Sequence, residues 1–472
     1  MATDPKRPKL GEVCGSDAPL ANFLSWCERV GLTLSPKVYV SRRDTVAEYG
    51  MLAKEDIGEG EVLFTIPRDV LLSQDTSKVK SVLEQGKTSL ENASGWVSLL
   101  LALMYEYTRP HSHWRPYLSL WPDFKALDHP MFWSREERES LLKGTGIPEA
   151  VETDLANLQT EYRDVVLPFM RLHPDLWDPE QHTLDLYKSL VAFIMAYSFQ
   201  EPLDDDDDDD DDEEDKVPNP PMMVPMADML NHVSNHNANL EYMPDSLRMV
   251  AVRDVRAGEE VFNTYGQMAN WQLLHMYGFV EPHQTNSNDT ADVQTSSIYK
   301  AAEQLLLDEP GQGLLVEKWK LLCEMDMVGE KGTFIFGKTG CLTDTELYTT
   351  LKILCMQPEL FVEFKENEGW EEAEDENEEE KITRSLSIEG LPALDCRWKQ
   401  ILHVSVGFTL DSYGEDIQTD RKLLGDETAL ANLSSRARRA LHVRHGQKCI
   451  LQKIWHLTQP TGATTQSLSD QS

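Results

Sequence analysis

The segment between residues 225 and 240 holds the densest group of side chains that could do chemistry. It reads PMADMLNHVSNHNANL and places Asn231, His232 and His236 among apolar neighbours. A polar loop with Asx turns is one interpretation of this composition. The histidines at 232 and 236 lack the glutamate of an HExxH motif and a nearby third ligand, so we expect no metal site. In a third interpretation, Asn231 and His232 present amide and imidazole groups to a bound polar cofactor.

Aromatic residues follow this polar segment at two points. The sequence NTYG places Tyr265 at the end of a predicted strand, and Tyr277 comes twelve residues later. A tyrosine at a strand end is usually a core residue, and the local sequence leaves this interpretation open. The order of the motifs favours the alternative, in which amide, imidazole and phenol groups serve one site.

Two similar stretches must position these groups. Residues 53–67 read AKEDIGEGEVLFTIP and residues 251–265 read AVRDVRAGEEVFNTY. Each predicts a β-hairpin with a glycine-containing turn. Between them, apolar spacing over about 75–200 predicts a helical insert. The chain from about residue 290 is again helical in pattern, which predicts a second, all-α domain.

The 472 residues are enough for two or three domains, and the formal net charge is −37. Twelve consecutive acids occupy residues 204–215, which we expect to form a solvated, disordered loop. A second acidic stretch, around residues 371–380, is expected to be a loop within the helical region. This charge balance argues against direct nucleic-acid binding and favours a basic partner.

Seven cysteines without a CxxC or CxC pair predict neither a disulfide framework nor a cysteine zinc site. The sequence contains no run of 18 apolar residues, so we expect no membrane association. The cluster Pro5-Lys6-Arg7-Pro8-Lys9 is of the nuclear-import type, although a solvated chain end would look the same. We expect a nuclear protein in a reducing compartment.

The order of these motifs resembles that of the SET-domain protein methyltransferases, specifically the class of the Rubisco large-subunit lysine methyltransferase. The matching stretches are Ala47-Glu48-Tyr49-Gly50, Ala227–His232, Asn263–Gly266 and His275–Phe279. The resemblance implies an α+β fold with a β-rich SET core and a pseudoknot at residues 36–285, followed by a helical substrate-binding domain at 290–472. Residues 1–35 would form a disordered lead, to about residue 20, and a first helix.

The resemblance also implies roles for single residues. Tyr265 would be the catalytic hydroxyl that orients the acceptor amine. The S-adenosyl-L-methionine cofactor would be held by Ala47, Glu48 and Tyr49 through their backbone, and by Asn231, His232 and Tyr277. The acceptor side would be lined by Trp96, Tyr197, Ser198 and Gln200.

The activity that the resemblance implies is protein-lysine N-methylation, with the RelA subunit of NF-κB and histone tails as candidate substrates. Protein-histidine methylation is an alternative, because a structural relative in this class modifies histidine. A tunnel richer in amide than in aromatic groups would favour it, and Gln200 is the residue that bears on this. A non-catalytic reader of basic tails is the other alternative, and the joint presence of Tyr265, Asn231 and His232 argues against it.

Overall fold

The computed structural model describes residues 17–90, 94–121, 124, 127–203, 218–306, 312–366 and 378–460. The chain divides into two compact units. Unit 1 comprises residues 1–135, 147–268 and 272–285, and unit 2 comprises residues 136–146, 269–271 and 286–472. The acidic run at 204–215, most of the second acidic stretch and the basic cluster at 5–9 lie outside the described residues.

Unit 1 contains ten described strands in three small sheets. They are β1 (Thr33–Leu34), β2 (Val38–Ser41), β3 (Gly50–Ala53), β4 (Val62–Pro67), β5 (Ser198–Phe199), β6 (Met222–Met223), β7 (Asn231–His232), β8 (Ala238–Tyr242), β9 (Ser246–Ala251) and β10 (Glu260–Asn263). One sheet has the order β1-β4-β9-β8, the second has the order β2-β3-β10-β7, and β5 pairs with β6. The β10–β7 pair is parallel, whereas the others are antiparallel.

The two similar stretches do not fold as β-hairpins, so that prediction was wrong. Strands β3 and β4 lie in different sheets, and so do β9 and β10. The connections pair with each other instead: Ile57 and Val255 exchange backbone hydrogen bonds of 2.8 and 2.9 Å. Gly60 and Gly258, with φ of +82° and +86°, occupy equivalent turns. Buried backbone groups need partners, and each long connection finds them in its counterpart about 200 residues away.

The helices up to residue 285 include the insert between β4 and β5. They are α1 (Ala18–Arg29), α2 (Lys80–Gln85), α3 (Lys87–Leu90), α4 (Val97–Thr108), α5 (Arg115–Leu118), α6 (Arg135–Leu141), α7 (Ile147–Glu161), α8 (Leu167–Leu172), α9 (Leu184–Tyr197) and α10 (Asn270–Gln272). Two π-helical turns, Tyr162–Val166 and Leu273–Tyr277, interrupt this set. Such turns are frequent at functional sites.

Helix α1 begins earlier than the predicted lead allowed. Asp17 accepts a hydrogen bond from the Leu20 amide at 3.2 Å, and Pro19 lies in the first turn. An aspartate cap followed by proline is a strong helix start, so residues 18–20 are helical rather than disordered.

Unit 2 is mainly helical around one hydrophobic core. Its helices are α11 (Thr295–Leu305), α12 (Leu315–Glu324), α13 (Asp344–Cys355), α14 (Pro358–Glu366), α15 (Glu378–Ser385), α16 (Cys396–Ser412), α17 (Ile417–Gly425), α18 (Glu427–Asn432) and α19 (Ser435–Leu457). The start of α15 makes residues 378–380 helical, where a loop was predicted.

The expectation of an all-α C-terminal domain needs one correction. Strands β11 (Ala291–Gln294) and β12 (Thr333–Phe336) form an antiparallel ribbon. Ala291, Val293, Phe334 and Phe336 are buried, and this alternation places one face of the ribbon in the core of unit 2. Four-residue strands are too short to stand out between long helical patterns. No described helix is long and apolar enough to cross a membrane.

Candidate functional site

The segment before β7 is held in a strained backbone. Met226 is fully buried and has φ of +78°, a left-handed conformation that non-glycine residues rarely adopt. Residues 227–229 then form a 3₁₀ turn, and the Tyr117 hydroxyl of α5 donates to Asp228 Oδ2 at 2.9 Å in the interior. Strain of this kind is kept where the surroundings enforce it, often at functional sites. The turn leads directly into Asn231 and His232.

The Asn231 side chain has a task that the sequence did not indicate. Its Nδ2 donates to the Tyr49 carbonyl at 2.9 Å and to Glu260 Oε1 at 2.7 Å, and the residue is only 5% exposed. Both hydrogens of the amide are therefore used inside the protein. The two amide N–H groups of Asn231 hold the loop before β3 and are not available to the cofactor. A contact between the cofactor and the other polar atoms of Asn231 stays a prediction.

That loop, residues 42–49, carries the three residues predicted to hold the cofactor through their backbone. Ala47 is fully buried, and Glu48 forms an ion pair with Arg42. The Tyr49 hydroxyl donates to Asp17 Oδ2 at 3.2 Å, and the Arg42 guanidinium lies 5.3 Å from the centre of its ring. Burial, with the neighbouring Asp17 carboxylate, raises the pKa of Tyr49 to about 12. The side chains of Arg42, Glu48 and Tyr49 thus anchor the loop, by contacts with one another and with Asp17.

Three predicted residues meet in an aromatic stack. The Tyr265 ring lies 4.9 Å from the His232 ring at 25° and 4.9 Å from the Tyr277 ring at 22°. Phe279 meets Tyr265 edge-on at 6.3 Å. The Tyr265 amide donates to His232 Nδ1 at 3.0 Å, so this ring nitrogen is an acceptor and a neutral imidazole carries its proton on Nε2. Desolvation raises the pKa of Tyr277 to about 12, and its phenol is neutral at physiological pH.

The Tyr265 hydroxyl has a defined orientation. It donates to the Leu230 carbonyl at 2.7 Å, and the side chain is only partly buried. Because its one hydrogen is used in this bond, the oxygen acts as an acceptor toward any further group. This is the arrangement needed to receive an N–H from an amine.

The residues predicted to line the acceptor side lie in and after the insert. Tyr197 is buried at the end of α9, and α9 packs both against α4 and against the π-helical turn that ends at Tyr277. Trp96 is half-buried at the start of α4, and Ser198 lies in β5. Gln200 is exposed and donates through Nε2 to the Asn219 carbonyl. This bond uses one hydrogen of the Gln200 amide within the protein, and the predicted lining role of Gln200 stays a prediction.

Sequence reasoning missed two polar residues at this site. Asn263 is 1% exposed, and its Oδ1 has no hydrogen-bond partner among the described residues. Glu260 is 8% exposed and accepts hydrogen bonds from two separate segments. Asn263 belongs to the NTYG motif and could have been selected with Tyr265. Glu260 gave no local signal, because Glu259 beside it has the same side chain and is exposed.

The described residues contain no group of three or more histidine, cysteine, aspartate or glutamate side chains placed to hold a metal ion. The polar groups at the site are instead amide, imidazole, phenol and backbone groups. Such a set suits a polar organic molecule.

Comparisons with known proteins identify similar sequences. The SET domain family matches residues 48–266, and the family described as Rubisco LSMT substrate-binding matches residues 309–451. N-lysine methyltransferase setd6 of Salmo salar is 69% identical over 460 residues, covering 98% of this chain and 100% of that protein. N-lysine methyltransferase SETD6 of Homo sapiens is 50% identical over 484 residues, covering 97% and 100%.

A crystal structure of the SET domain of LSMT bound to lysine and AdoHcy has a similar fold. Its TM-score is 0.62 at 20% identity, and the match covers 94% of this chain and 92% of that one. A structure of Rubisco LSMT bound to AdoMet matches equally well. With the two family matches, this likeness confirms the predicted α+β fold, a SET core followed by a substrate-binding domain.

Proposed function

Because this chain belongs to the SETD6 family of SET-domain N-lysine methyltransferases, we propose that it transfers a methyl group from S-adenosylmethionine to a lysine side chain of a protein substrate. The observation that carries the proposal is the Tyr265 hydroxyl. It is fixed by the Leu230 carbonyl and its ring stacks on His232 and Tyr277, so that its oxygen is an acceptor toward any further group.

The residues present fit the cofactor. Asn263 Oδ1 is a buried acceptor without a partner among the described residues, and it would suit an N–H or O–H donor of the amino-acid or ribose part. The backbone at Ala47, Glu48 and Tyr49 would contact the amino-acid end, and the Tyr277 ring would flank the adenine. When bound, the cofactor supplies a methyl group activated by a sulfonium.

The protein's own contribution is placement. A lysine amine has an ordinary pKa of about 10.4, so the ammonium must lose a proton before it can act as a nucleophile. A desolvated site lowers that pKa, and the Tyr265 oxygen would then accept an N–H from the neutral amine and direct its lone pair. Holding the reactants in line is an orientation effect and requires no covalent enzyme intermediate. Tyr265 is therefore a positioning acceptor in this scheme rather than a base.

The substrates we propose are lysines in basic segments of nuclear proteins, with the RelA subunit of NF-κB and histone tails as candidates. The net charge of −37 supports a basic partner through electrostatic attraction. The basic cluster at residues 5–9 supports action in the nucleus. Histidine methylation is less favoured, because the relatives that are 69% and 50% identical are named N-lysine methyltransferases.

Intact-mass analysis tests this function. The protein is incubated with methyl-labelled S-adenosylmethionine and RelA, histone or a nuclear extract, and the modified residue is located by peptide sequencing. Label on a lysine, lost when that lysine is replaced by arginine, is the expected result. Label on histidine would favour the alternative activity, and absence of label on any protein of a nuclear extract would contradict methyl transfer.

A further inference from the structure

We propose that Glu260 is a positioning residue for cofactor binding, which holds the loop of residues 42–49 against strand β7 before the cofactor arrives. This inference rests on the proposed function, because that loop is the one assigned to the amino-acid end of the cofactor. Glu260 itself lies on β10 and is not placed in contact with the cofactor.

The Glu260 carboxylate joins segments that are distant in sequence. Its Oε2 accepts from the Val46 amide at 2.9 Å, 214 residues away, and its Oε1 accepts from Asn231 Nδ2 at 2.7 Å. An ionised carboxylate offers only acceptors, so it suits two N–H groups at once. With 8% exposure, these bonds are formed largely away from water, where charge-assisted hydrogen bonds are strong.

Through its hydrogen bond to Asn231, Glu260 also restrains the far end of the loop of residues 42–49. The same Nδ2 that donates to Glu260 also donates to the Tyr49 carbonyl at 2.9 Å. The carboxylate therefore fixes the amide orientation in which a hydrogen remains for Tyr49. Val46 and Tyr49, at either side of Ala47 and Glu48, are both restrained by Glu260, one directly and one through Asn231.

Gly50 provides the space for this arrangement. A Cβ atom at position 50 would lie 2.4 Å from Glu260 Oε1 and 3.0 Å from Asn231 Nδ2. A side chain there would push the carboxylate and the amide away from β3. The absence of a side chain at Gly50 allows the hydrogen bonds to cross directly over the strand that follows the loop.

Apart from the Arg42–Glu48 and Tyr49–Asp17 contacts described above, the loop has no regular secondary structure to hold it. Residues 42–49 form neither helix nor strand, and Asp44 has φ of +61°. If Glu260 did not order the loop, cofactor binding would have to supply the ordering free energy, and affinity would fall. A loop that is ordered once the cofactor is bound would still allow methyl transfer, so the effect is expected on affinity rather than on the rate at saturation.

The test compares Glu260→Gln with Glu259→Gln. Glutamine at 260 keeps the shape but sets an N–H against either the Val46 or the Asn231 donor. Glu259 is exposed and accepts from the Arg256 amide, so Glu259→Gln is a matched control. Calorimetry with S-adenosylmethionine should give a Kd raised about 10- to 100-fold for Glu260→Gln and within about twofold for the control.

Turnover at saturating cofactor should stay within about threefold for Glu260→Gln, so that KM for the cofactor changes and kcat does not. Hydrogen exchange of the amides at 44–50 should be faster in this variant without cofactor and normal with it. If Glu260→Gln does not fold, Glu260→Asp keeps the charge but is one methylene too short to reach both donors, and the same change in Kd is expected.

An unchanged Kd in a folded Glu260 variant, with lysine methylation intact in the wild type, would overturn the inference and leave the function standing. A raised Kd in a protein that methylates no lysine would overturn the function while supporting the loop-ordering role. An equal loss in kcat and in affinity for the cofactor would also overturn the inference, since it indicates general damage to the site.

Discussion

Replacing Tyr265 with phenylalanine separates the catalytic role of its hydroxyl from the structural role of its ring. The ring stacks on His232 and Tyr277, and phenylalanine can make the same contacts. The substitution removes only the oxygen that donates to the Leu230 carbonyl. We expect methyl transfer to slow strongly while the cofactor still binds.

The magnitudes of the two effects differ. Loss of one preorganised polar group at a reacting centre typically lowers the rate by about 10²-fold, or about 2.7 kcal/mol. The same change removes a hydrogen bond to the carbonyl of Leu230, which is fully buried, and this should lower the free energy of unfolding by about 1 to 2 kcal/mol. The protein should therefore remain folded at 25 °C.

Single-turnover rates, cofactor titration and thermal melting on the same preparations distinguish these effects. Tyr39→Phe, at an exposed position on β2, controls for loss of a tyrosine hydroxyl elsewhere. If Tyr265→Phe loses stability but keeps its rate, the hydroxyl only supports Leu230. That result would remove Tyr265 from the catalytic role.

Three further predictions concern stability and the acidic run. Asp292 Oδ1 is buried without a partner among the described residues, and burial raises the pKa of this carboxyl to about 6. The Asp292 carboxyl holds its proton more tightly in the folded state than in the unfolded chain, so its ionised form destabilises the fold above that pKa. Asp292→Asn should therefore raise the free energy of unfolding by about 1 to 3 kcal/mol at pH 8. Urea unfolding should show this gain shrinking as the pH falls from about 6 toward 4, and a gain independent of pH would contradict the assignment. Gly50→Ala should lower the free energy of unfolding by about 1 to 3 kcal/mol, because the added Cβ overpacks against Glu260. In the same urea unfolding experiments Gly425→Ala should be close to neutral, because a Cβ there meets nothing within 4 Å. Replacing residues 204–215 by a Gly/Ser linker should change the melting temperature by only a few degrees, because adjacent carboxylates repel one another, and a large loss would mean that the run packs against a basic surface.

Candidate residues of the site could be chosen from the sequence because each motif is short. Asn231 and His232 are neighbours in sequence, and the roles proposed for Tyr265 and Tyr277 follow from the resemblance to the SET-domain methyltransferases. The structure brings the last three together in one stack. The task of the Asn231 amide was not predictable, since its partners at Tyr49 and Glu260 come from other parts of the chain.

The pairing of the strands could not be predicted from the sequence. The segments 53–67 and 251–265 have the local pattern of hairpins, with glycines at the turns. A period-2 pattern indicates which face of a strand is buried, but it is the same whether the partner is the next strand or one 200 residues away. The Ile57–Val255 pairing depends on backbone groups that meet only in the folded chain.

The sequence by itself determined which segments can be helical, where negative charge concentrates and which motifs could bind a polar cofactor. These properties depend on residue type and on spacing within about one or two turns of chain. Only the tertiary structure decided that the two similar segments pair with each other, and that Glu260 is buried while Glu259 faces solvent. Burial and hydrogen bonding of a side chain depend on what distant segments place around it, and two identical neighbours in sequence can therefore have opposite environments.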